Sequence, residues 1–325
     1  MKKIFIGIDI SSKTLDICVK IEDKIEYFGI QNEPKSIRLF FKKYVRETAI
    51  VAMENTGRYN WNLFEVLSKM DLQVYVLSPL HLKKSLGLSR GKNDKVDALR
   101  ICNYIEKNQK ESIAWKPSSA AVCKLKILLA ERSSRVGMKA GLAKQQHDYK
   151  LMKNLGLDKE LLKLNQKLIE AIEVQIKKIE EAIEKNINED SELNRKAKLI
   201  RSVPGVGKIV CWTMIAKTEG FTTITDPRKM ACYSGVAPFE QQSGTSLRFR
   251  PKVSIFADKG IKSLLRLAAM SAIRLNNELR AYYQRKVEQG KNKMSVLNAV
   301  RNKIIHRIFA VIKNQIMYKN DLVLS

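Results

Sequence analysis

Cysteine and histidine are scarce and scattered in this sequence. The five cysteines (Cys18, Cys102, Cys123, Cys211 and Cys232) are odd in number and include no CxxC pair. That argues against a disulfide framework and a cysteine zinc site, and it fits a reducing, cytoplasmic setting. The three histidines (His81, His147 and His306) are too dispersed to suggest a metal cluster or a nucleophilic triad. No run of eighteen apolar residues occurs, so no membrane-spanning helix is expected. The opening MKKIFIGIDISSKTLDICVK reaches acidic residues too soon for a secretory signal and reads as a strand. Acids are also in short supply, with 33 Asp and Glu against 60 Lys and Arg, for a formal net charge of +27 and a pI near 9.8. A chain that basic meets a polyanion, nucleic acid ahead of a membrane surface. Its 325 residues, 45% hydrophobic, suffice for two or three domains with a true core.

The first third alternates strand and helix patterns. IFIGIDI is a β-branched apolar run; LDICVKI and KIEYFGI follow at hairpin spacing, predicting three antiparallel strands. SIRLFFKKYV and YNWNLFEVLSKM have helical apolar spacing, and TAIVAME and LQVYVLS read as buried strands. With the helix in NDKVDALRICNYIEK, the order is β-β-β-α-β-α-β-α, an α/β layer architecture. Asn93 is a plausible cap for that last helix, while the basic SPLHLKKSLGLSRGK before it reads partly as loop.

Four acids stand out in this region. Asp9 and Glu54 end two of the strands, where α/β sheets collect ligands. Asp94 and Asp97, in GKNDKVDA, lie three apart near a helix start, on one face and where the dipole favours negative charge. Singly, each reads as an ordinary strand-end or first-turn acid. Together they suggest carboxylates converging on divalent ions, because an acid in the apolar context GIDI is costly unless paired or metal-bound. Hard oxygen ligands suit magnesium or manganese, and two such ions activate a nucleophile and stabilise a leaving oxygen on a phosphodiester.

The middle is helical. Apolar spacing runs from Ser118 to about Leu142. After a break near Gly156 a second helix carries Leu162, Ile169, Ile176 and Ile183 at heptad positions, with companions Asn165, Ile172, Ile179 and Asn186. Residues 155–190 hold six lysines against nine acids, so this face suits protein rather than phosphate. Two readings fit: self-association through a coiled coil, and a helical hairpin packed on its own domain.

In the last third, LIRSVPGVGKIVCWTMIAKTEGF places apolar helix on both sides of Pro204-Gly205-Val206-Gly207. That pattern matches a helix-hairpin-helix, with Gly205 and Gly207 allowing close backbone approach and Lys208 adding charge beside a helix N-terminus. An ordinary interhelical turn is the alternative. KMACYSGVAPFEQQSGTSLRFRPKVS reads as a polar loop flanked by Arg248, Arg250 and Lys252. IKSLLRLAAMSAIRLNNELRAYYQRKVEQ reads as one helix, in which Tyr282 and Tyr283 belong to the core more readily than to a base-stacking surface. Residues 245–325 contain seventeen Lys and Arg against four acids, a strongly basic stretch suited to binding a polyanion.

GIDISSKTLD, AMENTGRY and KNDKVDA together resemble the N-terminal domain of DEDD-type insertion-sequence transposases, and ACYSGVAPFEQQSGTS resembles their C-terminal domain. The likeness covers nearly the whole chain in the family's order. It implies a RuvC-like ribonuclease H fold over residues 1–112, a helical coiled-coil spacer over 113–192, and a mostly helical transposase domain with a helix-hairpin-helix over 193–325. It maps the family's four acids to Asp9, Glu54, Asp94 and Asp97 as magnesium or manganese ligands, with Lys92 and Lys95 as backbone-binding positions. It matches the nucleophilic serine to Ser243, which precedes Gly244; the position before it, often a second serine, is Gln242, and Ser246 stays a rival. Arg248 and Arg250 would stabilise the phosphoryl transition state. The implied partners are DNA, a structured bridge RNA from the element, and further copies of the chain as a dimer or tetramer, associated with the nucleoid and with no membrane. The implied activity is strand exchange through a serine–phosphate link. A metal-dependent resolvase-like nuclease and a non-catalytic nucleic-acid-binding assembly protein are the competing readings.

Overall fold

The computed structural model describes residues 3–45, 48–79, 82, 83, 93–151, 156, 158–243, 247–275 and 278–319; of Arg58, Asp158, 239–243 and 247–252 it describes the backbone. The chain divides into two compact units, Met1–Pro117 and Ser118–Ser325.

The first unit is built on a five-stranded mixed sheet. Strands β1 (Ile4–Ile10), β2 (Thr14–Ile21) and β3 (Lys24–Gln31) form an antiparallel meander, and β4 (Ala49–Glu54) and β5 (Gln73–Leu77) add in parallel, giving the order β3-β2-β1-β4-β5. Period-two alternation sorts the residues between the faces. Ile4, Ile6, Ile8 and Ile10 join Leu15, Ile17, Val19, Val51 and Met53 in a core completed by helices α1 (Pro34–Phe41) and α2 (Trp61–Leu67). The other face carries Gly7, Cys18 and Ala52 and is covered by α3 (Asp94–Asn108), which buries Ala98, Ile101, Cys102 and Ile105 against it. The α/β layering expected from the sequence is therefore present. Most of SPLHLKKSLGLSRGK lies outside the described residues.

The second unit is mostly helical. Helices α4 (Ala120–Leu151) and α5 (Asp158–Glu189) run antiparallel as a long hairpin. Its rungs are Asn186 Nδ2 donating to the Ala121 carbonyl at 2.9 Å, Arg132 with Glu180 and Lys139 with Glu173 at 2.6 Å each, and Gln146 with Gln166 at 3.1 Å. The heptad seam of α5 is thus covered by α4 of the same chain, with Asn165, Ile169, Ile183 and Asn186 buried. At the hairpin base, Val122, Leu125, Ile183 and Ile187 share one core with Trp212, Leu265, Ile304 and Ile305.

That core is closed by α6 (Ser191–Arg201), α7 (Lys208–Lys217), α8 (Pro227–Tyr233), α9 (Lys259–Ala272), α10 (Glu278–Glu288) and α11 (Lys293–Asn314). Two sequence expectations are corrected here. The polar stretch after α8 is not simply a loop: β6 (Phe239–Ser243) and β7 (Leu247–Lys252) pair antiparallel, consistent with the alternation of Leu247 and Phe249 with Arg248 and Arg250. The single helix expected after it is two, α9 ending at Ala272 and α10 starting at Glu278. Tyr282 and Tyr283 pack partly buried against the core, and Lys303 lies 4.5 Å over the Tyr282 ring.

Candidate functional site

Asp9 and Glu54 sit at the carboxyl ends of the neighbouring parallel strands β1 and β4. Alternation places both on the sheet face that α3 covers. Asp94 and Asp97 occupy the first turn of that helix, which is capped as expected: Asn93 Oδ1 accepts from the Lys95 N–H at 3.1 Å. The height of α3 above the sheet is set by small residues, Gly7, Cys18, Ala98 and Cys102. Cys102 Sγ also donates to the Phe5 carbonyl at 3.3 Å. One sheet face and one helix start therefore bring all four acids into a single electrostatic region.

Their mutual influence appears at Asp9 and Glu54. The Asp9 carboxyl is pushed from 3.8 up to about 6, first by burial, then by the Asp97 charge, with smaller contributions from Asp94 and Glu54; the Ile10 N–H, 3.1 Å from Oδ1, acts the other way. Burial and Asp97 raise Glu54 as well. Like charges that close oppose each other's ionisation. Asp97 is held by Arg100, whose Nη1 is 2.6 Å from Oδ1. Among the described residues no three His, Cys, Asp or Glu side chains converge tightly enough to hold an ion. The donor set nonetheless consists of hard carboxylate oxygens with a shared need for positive charge, which suits magnesium or manganese.

The sequence reading missed several residues that shape this region. Asp16 is the cross-strand partner of Asp9, and its pKa is raised by burial and Asp94 and lowered by Lys95. The alternation in TLDICVKI and the hairpin register carried enough information to find it. Buried Asn60 fixes the turn after Glu54: its Oδ1 accepts from Thr56 N at 2.8 Å and Thr56 Oγ1 at 2.7 Å, and its Nδ2 donates to the Glu54 carbonyl at 3.0 Å. Asn32 Nδ2 bridges the carbonyls of Ser11 and Tyr59 at 2.9 and 3.1 Å, tying together the loops that follow β1 and β4. No periodicity marks these asparagines.

Lys95 is exposed on α3, and Lys92, Gly244 and Ser246 lie outside the described residues. In the second unit, Ser243 ends β6 and pairs with Leu247, while Arg248, opposite Gln242, and Arg250 and Lys252 lie on β7; their backbones alone are described. Gly205, at φ +82°, makes its close approach to α9, since a β-carbon there would stand 2.3 Å from the Ala268 carbonyl oxygen. Gly207 caps α7 and faces open space. Lys208 Nζ is 3.1 Å from Glu184 Oε1, with Arg201 3.7 Å from the same oxygen.

An acid-bearing α/β unit followed by a mostly helical, basic unit is the order expected of a DNA transposase or recombinase, and comparison with known proteins shows that class. A family profile of DEDD type named for IS110 and described as "Transposase" matches residues 6–150, and one described as "Transposase IS116/IS110/IS902 family" matches residues 197–284. The chain belongs to this IS110-type family of DEDD insertion-sequence transposases. It is 25% identical to the pilin gene-inverting protein of Moraxella bovis over 96% of this chain and 97% of that protein, and equally so to that of Moraxella lacunata. An uncharacterized 43.6 kDa protein of insertion element IS110 from Streptomyces coelicolor is 25% identical over 43% of this chain and 35% of its own length. No helix among the described residues is long and apolar enough to cross a membrane.

Proposed function

We propose that this transposase cuts and rejoins DNA through a covalent link between Ser243 and a strand phosphate, assisted by a divalent ion at Asp9, Glu54, Asp94 and Asp97. The observation that carries the reading is that Asp9 and Glu54 on one sheet face, and Asp94 and Asp97 at the start of the helix covering it, share one electrostatic region, with Asp9 raised to about 6 by burial and by its neighbours. A bound magnesium or manganese ion supplies positive charge at the phosphate and eases ionisation of an attacking or leaving oxygen. Asp9 and Glu54 of the sheet and Asp94 and Asp97 of α3 would hold it, with Asn60 and Asn32 keeping the loops after the strands in place. Arg100 orients Asp97.

In the chemical step the Ser243 oxygen bonds to phosphorus, the serine proton is transferred away, and the strand's leaving oxygen departs protonated as a hydroxyl. Attack by that hydroxyl, or by one from another strand, reverses the step and regenerates the serine. Serine is a weak nucleophile and needs such help. Arg248 and Arg250 would stabilise charge on the phosphoryl oxygens, and Lys92, Lys95, Gly207, Lys208 and Lys252 would contact backbone, while Gly205 serves the packing of the turn on α9.

Pairing through a structured bridge RNA of the element would supply sequence choice. This rests on the family resemblance and the seventeen-to-four excess of basic residues over 245–325. Strand exchange also requires several copies held together. Leu164, Leu168 and Val174 are exposed on α5 outside the intramolecular seam and suit self-association. The names of the Moraxella relatives, which describe inversion of a gene, support site-specific recombination over simple hydrolysis.

The test is covalent capture. The protein is incubated with magnesium, labelled element-junction DNA and RNA transcribed from the element's flanks, then resolved on a denaturing gel. An adduct mapping to Ser243, lost in Ser243→Ala and in Asp9→Asn, is the expected result. Cleaved DNA without adduct, lost in Asp9→Asn but kept in Ser243→Ala, would replace this reading with a metal-dependent nuclease.

A further inference from the structure

Arg301 of α11 is buried, 6% exposed, in the core of the second unit. Its Nη1 donates to Asn298 Oδ1 at 3.3 Å, and its Nε has no hydrogen-bond partner. Asn298 in turn donates from Nδ2 to the Val236 carbonyl at 2.8 Å, so the guanidinium lies under the segment that leads from α8 into β6. Among the described residues, the charge that bears on Arg301 is that of Arg266 on α9, which has the same sign; burial and this neighbour lower the Arg301 pKa. One turn before Arg266, Lys262 borders the same segment: a β-carbon on Gly235 would lie 3.9 Å from its Nζ. A buried guanidinium beside a second cation, with an orphaned donor, is unfavourable unless an anion completes the site.

We propose that Arg301 and Arg266 form a phosphodiester-binding site that takes a backbone phosphate of the DNA strand being processed. This deepens the functional reading above and rests on it. Guanidinium donors in a fork match phosphate oxygens, and a partly desolvated site strengthens the contact. Phe256, exposed on the loop before α9, adds an aromatic surface that suits nucleic acid rather than free phosphate.

The test measures DNA affinity against salt for the full-length protein and for Arg301→Met and Arg266→Gln, with thermal melts alongside. Each variant is expected to bind junction DNA about tenfold more weakly at fixed salt, with the slope of log K against log salt reduced by roughly 0.9. Arg301→Met is expected to melt no lower than the parent, because the uncompensated charge is gone. Arg266 is exposed, so Arg266→Gln keeps the fold and decides the matter even where Arg301→Met does not fold. Unchanged affinity and slope in Arg266→Gln would overturn the site. A loss confined to RNA, with DNA binding intact, would overturn the assignment to DNA. Absence of DNA binding by the parent chain would instead defeat the functional reading on which the site rests.

Discussion

Gly7 of β1 lies so close beneath α3 that a β-carbon there would stand 2.2 Å from the Ala98 carbonyl oxygen and 2.5 Å from the Cys102 backbone nitrogen. Both atoms belong to helix backbone and cannot swing aside. Gly7→Ala must therefore lift α3, and with it Asp94 and Asp97, away from Asp9 and Glu54. A cost of about 1–3 kcal/mol is expected from overpacking, with DNA cleavage falling by far more than the loss of folded protein explains. Chemical denaturation and a cleavage assay on the same preparation check this. Wild-type cleavage in a fully folded Gly7→Ala would show that the helix position is immaterial.

Asp9 gives the metal-free chain a pH signature. Its folded carboxyl is raised from 3.8 to about 6. The folded state thus holds this proton more tightly than the unfolded state does, so stability from this group is fully present below about pH 4 and is lost as pH climbs through 6. Asp9→Asn removes the loss. The variant should match the parent near pH 4 and exceed it at pH 7 by something of order 1 kcal/mol once solvent screening is allowed for. Magnesium should raise the melting temperature of the parent at pH 7 and leave Asp9→Asn almost unmoved. Greater stability of the parent at pH 7 without magnesium would contradict the sign.

The hairpin of the second unit separates two kinds of leucine-class residue. Ile183 is fully buried, whereas Leu168 is 53% exposed. Ile183→Ala should cost about 2–5 kcal/mol of folding stability through the cavity it leaves. Leu168→Ala should fold as the parent does. If the exposed stripe joins copies of the chain, Leu168→Ala, or the stronger Leu164→Ser with Leu168→Ser, shifts the protein toward monomer in sedimentation. An unchanged oligomer would place the contact elsewhere.

These elements also mark what could be read from residues alone. Strand alternation and β-branched content located β1 and β4, and with them Asp9 and Glu54, because those patterns are local. The start of α3 was legible because Asn93 is a local cap. The same locality limited the rest. A heptad reports that a face will be covered but not by which chain, and α4 of the same chain covers it. Gly205 reads as permission for close approach, yet what it approaches is α9, more than sixty residues away in sequence. Asn32 and Asn60 act through carbonyls of distant loops, which no spacing encodes. Asp16 was accessible through the hairpin register but only once Asp9 was fixed as its partner.

Lys208 offers a final check on how charge is used. Its ammonium is not free at the helix start: Glu184 of α5 lies 3.1 Å away, and Arg201 shares the same carboxylate. On the proposed reading that this turn meets DNA backbone, Glu184 offsets two of the cations there before DNA arrives. Glu184→Gln keeps the shape and releases both. Salt-dependent binding should then strengthen by a few fold at moderate ionic strength, with a steeper slope of log K against log salt, since each further phosphate neutralised steepens it by roughly 0.9. The folding cost should be small, because ion pairs with partners this exposed contribute about 0–1 kcal/mol. Unaltered binding in Glu184→Gln would mean that Lys208 and Arg201 serve the packing of α5 against α6 and α7, and that the phosphate surface lies on another face of the unit.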